Sequence, residues 1–110
     1  MNGNTPVKFP ESAGQQELLS RFFGAILQDP RIGPAHIALY AALYHCWLAV
    51  GGRGAVCAYS HEMMPVAKLS SSATYHRVLR ELDKWGYLRY EPSYSRLRRS
   101  RVLLAWDDSS

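Results

Sequence analysis

Between residues 75 and 86 the chain places Tyr75, Val78, Leu79, Leu82 and Trp85 at the i, i+3, i+4, i+7 spacing of one helix face and follows them with Gly86. A stripe of that kind has to find a core, which drives Thr74, His76, Arg77, Arg80 and Lys84 largely to the opposite, wet side. Gly86 supplies the C-terminal stop. Upstream, Ser70, Ser71 and Ser72 compete for turn and capping roles, so the helix starts there.

The segments around this helix read in order. Residues 61–68 form a short helix with Ser60 as N-cap and Met63, Met64, Val66 and Leu69 as its apolar positions, Pro65 falling within the first turns. Residues 87–91 and 100–106 are aromatic and Leu-rich runs separated by Pro92 and a polar tip, the pattern of a β-hairpin. Residues 55–59 are short enough for one small strand, which needs that hairpin as its partner. Residues 33–50 are apolar around most of a helical circumference and make the central core helix, with Tyr40, Tyr44 and Trp47 in its buried stripe and Gly51, Gly52 and Gly54 breaking it. Residues 15–29 repeat Leu18, Leu19, Phe22, Phe23, Ile26 and Leu27 at helical spacing, and Asp29 and Pro30 end that run. Residues 1–14, rich in Pro, Gly and small polar types, read as a loose arm, and 107–110 as a solvated tail.

With 110 residues and 47% hydrophobic content, one core over 15–106 is the expectation. The net charge of +4 is modest, but its placement is not. Nine bases and three acids lie between Lys68 and Arg101, whereas the first 67 residues are neutral. Arg96, Arg98, Arg99 and Arg101 have no acid among them, a concentrated field suited to phosphate. No apolar run reaches the roughly 20 residues of a membrane span, and the start lacks a signal-peptide pattern, so a soluble, cytoplasmic protein is expected.

Cys46 and Cys57 are too sparse for a disulfide framework and read as reduced thiols, Cys57 as a small buried hydrophobe. Cys57 and His61 have metal-like spacing, with His36 and His45 elsewhere, but no set of four converges; no cofactor or metal is expected. No nucleophile and base arrangement, Gly-rich phosphate loop or paired carboxylate motif points to an enzyme.

The phrase from Leu69-Ser70 through Tyr75, Leu79 and Leu82 to Gly86-Tyr87-Leu88 resembles the second helix and following strand of winged helix-turn-helix proteins, including MarR-like regulators and plasmid replication initiators. Residues 32–40 and 73–77 are also similar to small winged-helix regulators carried on bacterial conjugative elements. The resemblance covers about 33–106. It implies a mainly α fold, a three-helix core plus an antiparallel wing, with an additional N-terminal helix. It further implies a sequence-specific double-stranded DNA-binding protein, acting as a transcriptional regulator or mobile-element accessory factor. The alternative is a winged-helix assembly module whose basic wing docks on an acidic protein.

By this resemblance Ser71, Ser72, Thr74, His76 and Arg77 face the floor of the major groove, Arg77 with its planar fork reaching guanine. Arg80 and Lys84 meet phosphate, Lys68 is a further DNA contact, Tyr94 rests on a sugar edge, and Arg96, Arg98, Arg99 and Arg101 track the flanking backbone or a narrow minor groove. MarR-like proteins continue past the wing into a long dimerising helix, whereas this sequence ends soon after Trp106. A homodimer would therefore use the first helix, where Phe22, Phe23, Ile26 and Leu27 offer surplus apolar area. Monomeric binding stays open.

Overall fold

A computed structural model describes residues 10–93 and 99–105. The elements are α1 (Pro10–Ile26), α2 (Pro34–Ala49), β1 (Ala55–Ala58), α3 (Ser60–Ala67), α4 (Ser72–Lys84), β2 (Arg89–Glu91) and β3 (Ser100–Leu103). Four helices thus accompany one small antiparallel sheet, in the order β1-β3-β2. Val102 is opposite both Val56 and Tyr90. The strand expected at 55–59 has the partner it needs, and β3 holds the centre of the sheet.

Three helices stop by the same device. Beyond α2, α3 and α4 a residue with positive φ reverses the chain: Gly51 (106°), Lys68 (61°) and Gly86 (86°). The next amide then bonds back to the carbonyl five residues earlier, Gly52 to Trp47 at 2.8 Å, Leu69 to Met64 at 2.9 Å and Tyr87 to Leu82 at 2.9 Å. These bonds satisfy carbonyls that the helix leaves orphaned. Glycine adopts such a φ freely, whereas Lys68 pays about 1–2 kcal/mol for its Cβ.

The core joins Leu39, Tyr40 and Leu43 of α2 to Met63 and Ala67 of α3, to Tyr75, Val78, Leu79 and Leu82 of α4, and to Val56, Leu88, Val102 and Leu104 around the sheet. Trp47 is also buried, and its Nε1 lacks a partner among the described residues. Cys46 Sγ lies 3.8 Å from Met63 Sδ, and burial raises its thiol pKa. Cys57 is exposed rather than buried, because strand alternation gives the core side of β1 to Val56.

Two boundaries differ from the expected ones. α1 begins at Pro10, five residues inside the stretch read as an arm; proline suits a first helical position, where its missing N–H is not needed. α3 takes Tyr59, not Ser60, as N-cap, because Glu62 reaches back 2.8 Å to the Tyr59 amide. The hairpin strands are also shorter than read, ending at Leu103 on the return side.

α1 is held mainly through Phe22, whose ring stacks on Tyr40 at 3.8 Å and meets Tyr87 edge-on at 5.5 Å. Tyr44 adds a 2.8 Å hydrogen bond to the Gln15 carbonyl. Leu18, Leu19 and Ile26 pack partly against the core, but two residues of the expected stripe are outside: Phe23 is 43% and Leu27 80% exposed.

Leu82→Ala should lower unfolding free energy by about 2–5 kcal/mol, since the side chain is fully enclosed and leaves a cavity. The same change at Leu27 should shift it by no more than about 0.5 kcal/mol. Urea denaturation of the two variants measures the contrast.

Candidate functional site

With its inner stripe buried, α4 turns Ala73, His76, Arg77, Arg80, Glu81 and Lys84 onto one open surface. Its first turn is ordered by its own polar residues. Ser71 is the N-cap and its Oγ accepts from the Thr74 amide at 3.2 Å. His76 Nδ1 lies 3.0 Å from the Ser72 carbonyl and 3.4 Å from Ser72 Oγ. A carbonyl can only accept, so Nδ1 carries the proton and Nε2 of the neutral ring is left as an acceptor. Ser72 is exposed, whereas Thr74 is half-buried.

Arg77 is held at Glu81, Nη1 to Oε1 at 2.9 Å. The same oxygen meets Nε2 of His36 at 2.8 Å. His36 is only 6% exposed, and its Nδ1 accepts from the Gly33 amide at 3.0 Å. With Nδ1 accepting, the ring proton sits on Nε2; the pair is a neutral imidazole donating to a carboxylate rather than an ion pair. Arg80 and Lys84 make no ion pair among the described residues. Lys68 is exposed at the turn between α3 and α4.

No acid interrupts the arginine run in sequence, but the fold brings carboxylates to two of its members. Arg99 pairs with Glu62 at 3.1 Å and lies 5.0 Å over the Tyr59 ring. Arg101 pairs with Glu91 at 3.0 Å across the β2–β3 ladder. The acids come from a distant helix and the facing strand, so no count along 96–101 could reveal them. The Tyr59 amide first, and Arg99 as well, hold the Glu62 carboxyl below its ordinary range. Tyr94, Arg96 and Arg98 lie outside the described residues.

α4 and the hairpin base are neighbours. His76 and Tyr75 line a cavity of about 180 Å³ together with Tyr90, Ser93 and Ser100. The structure therefore brings the start of α4 and the root of the hairpin to one place.

What sets the far end of α4 was not visible in sequence. Asp29, in the link from α1 to α2, accepts four hydrogen bonds: the Arg31 amide (3.1 Å) and Nε (2.8 Å) on Oδ1, and Arg31 Nη2 (2.8 Å) and Tyr87 Oη (2.6 Å) on Oδ2. Arg31 also covers the Trp85 ring at 4.6 Å, and Trp85 stands 5.3 Å from His36. Trp85 is thus half-buried under a cation rather than sunk in the core. The Asp29 and Tyr87 ends are 58 residues apart, beyond any local pattern; only the Asp29-Pro30-Arg31 turn could have hinted at the Asp29 to Arg31 half.

Among the described residues no group of three or more His, Cys, Asp or Glu side chains could hold a metal. Nor is any helix there long and apolar enough to cross a membrane. Comparison with protein-family models, with curated proteins and with solved structures gives no match.

The Arg31 guanidinium, then the Tyr87 hydroxyl, hold the Asp29 carboxyl far below its usual range; burial and that carboxylate push Tyr87 up to about 12. A carboxyl depressed in the folded state stabilises above its unfolded value of about 3.9, and that contribution fades as pH falls toward the folded value. Asp29→Asn should therefore melt at lower temperature than the parent at pH 7, with the gap narrowing steadily below pH 4. Melting curves from pH 7 to pH 2 follow it.

Proposed function

We propose that the fold is a winged helix-turn-helix and that the protein binds double-stranded DNA in a sequence-specific way, as a small regulator or mobile-element accessory factor. One observation carries this reading: an amphipathic helix with a buried apolar face presents Arg77, Arg80 and Lys84 outward and starts beside the root of an arginine-bearing hairpin. The element order α2-β1-α3-α4-β2-β3, with β1 closing on the hairpin, supports it. A major groove admits one helix, while flanking elements grip the phosphates.

The ion pairs at Arg99 and Arg101 fit this use. Both are exposed, and such pairs contribute only about 0–1 kcal/mol. A phosphate can therefore replace the carboxylate with little loss. Ser71, Ser72, Thr74, His76 and Arg77 are the base-facing set, and Lys68, Arg80, Lys84, Arg99 and Arg101 the backbone-facing set, joined by Tyr94, Arg96 and Arg98.

The test is fluorescence anisotropy on a duplex selected from a random pool, titrated with salt. Affinity should fall with a log-log slope of roughly −0.9 per neutralised phosphate. Arg98→Ala with Arg99→Ala should weaken binding to every duplex and flatten that slope. Arg77→Ala should cost about 1–3 kcal/mol on the selected duplex and little elsewhere. Shallow, equal binding to all duplexes would instead fit a module that docks on an acidic protein.

A second copy is the partner proposed for α1, where Phe23 in its last turns and Leu27 just past its end are both exposed. A two-fold contact through one helix is self-complementary, so each copy covers the other's pair. Phe23→Ser with Leu27→Ser should leave the circular dichroism spectrum unchanged and convert a dimer to a monomer in sedimentation equilibrium.

A further inference from the structure

Arg77 is not presented as a free side chain. Its guanidinium donates to the Glu81 oxygen that also receives the His36 Nε2 proton. His36 in turn cannot swing, because the Gly33 amide fixes its other nitrogen and Trp85, under Arg31, stands beside its ring. The result is a continuous set of contacts from the start of α2, through a buried imidazole, to one arginine on the outer face of α4. Among the described residues nothing comparable reaches Arg80 or Lys84.

Resting on the DNA reading above, we infer that Glu81 is a positioning residue for base selection: anchored by His36, it orients the Arg77 guanidinium before the duplex arrives. The chemistry suits this role. A guanidinium has five N–H donors in a rigid fork, so spending one on Glu81 leaves donors for a guanine edge, whose O6 and N7 accept two. A long side chain that is already held loses less rotamer freedom on seating, and a fork presented in one orientation discriminates between base edges better than one that can slide to a phosphate. Glu81 also places a negative charge near the interface, which weakens non-specific attraction to phosphate. That charge acts on every duplex alike, so only the held orientation separates one base pair from another.

The experiment compares the protein with Glu81→Ala, Glu81→Gln, Arg77→Ala and the double variant Glu81→Ala, Arg77→Ala. Each is titrated against the selected duplex and against that duplex changed at one base pair at a time. Glu81→Ala should lose about five- to tenfold of discrimination at the base pair that Arg77→Ala makes indifferent, while its binding to an unrelated duplex stays equal or rises. In the Arg77→Ala background the Glu81→Ala change should have no further effect at that base pair. Glu81→Gln, which can still accept from both partners, should keep discrimination within about twofold of the parent. His36→Phe should reproduce part of the Glu81→Ala loss at the same base pair, with thermal melts showing that the variant is folded. If it does not fold, the Glu81 and Arg77 cycle decides alone.

Unchanged discrimination in Glu81→Ala, or an equal loss with Arg77 already removed, overturns the positioning role and leaves DNA binding intact. A Glu81→Gln variant as impaired as Glu81→Ala overturns it too, since charge rather than placement would then be at work. A parent protein that selects no duplex from the pool removes the DNA reading and this role together.

Discussion

The burial of Tyr75, Val78, Leu79 and Leu82 governs where every charge on α4 can go. Those four side chains share one buried cluster with residues of α2, α3 and the sheet, and a helix turning 100° per residue then has no freedom left for Arg77, Arg80 and Lys84. The phase of the helix is fixed at both ends. Lys68 reverses the chain before it and Gly86 after it, each followed by an amide bonded back into the preceding helix. Tyr87 then runs directly into the Asp29 carboxylate, so the exit from α4 is tied to the link between α1 and α2. A helix fixed in this manner can read a surface with a defined set of side chains, which one lying loosely on its core could not do.

The sheet adds a second constraint, from chain topology. β3 is the last described strand in sequence yet lies between β1 and β2. Among the described residues β1 has no other partner, so its pairing waits until the chain beyond α4 has folded back across it, a non-local closure of the kind that slows folding. The same closure puts Ser100 and Arg101 opposite β1, next to the start of α3, where Arg99 finds Glu62. The hairpin root is thereby braced on the helical layer, and its charges are placed relative to α4 by backbone pairing instead of by flexible side chains.

How much of this was legible depends on how local the cause is. α2 could be bounded almost to the residue, because Gly33 and Pro34 start it and the glycines at 51 and 52 stop it. The inner face of α4 was equally plain for Tyr75, Val78, Leu79 and Leu82, which are buried as their spacing requires, whereas Trp85, placed on the same face, caps the helix and is only half-buried. Phe23 and Leu27 were harder, as helical spacing shows that a stripe exists but not how wide a groove the rest of the chain offers it. Cys57 went wrong for a related reason: in a four-residue strand either face can be the core side until Val56 finds Val102. The contacts Asp29 to Tyr87 and His36 to Glu81 join residues 58 and 45 positions apart. No pattern within one segment carries such information, and the ion pairs of Arg99 and Arg101 were hidden in the same way.

The outward cations therefore fall into two physical kinds. Arg80 and Lys84 extend from α4 without a carboxylate partner among the described residues, and a solvated cation on a flexible stem is attracted to any phosphate within reach. Arg77, by contrast, shares Glu81 with a buried histidine, and its charge is partly compensated before any polyanion approaches. An arginine whose only task was phosphate attraction would gain nothing from a neighbouring acid, because the acid subtracts from the field that does the attracting. The pairing is understandable where orientation matters more than charge, and the one fork on α4 that is held this way is also the one closest to the helix N-terminus, the end that reaches base edges when a helix enters a groove.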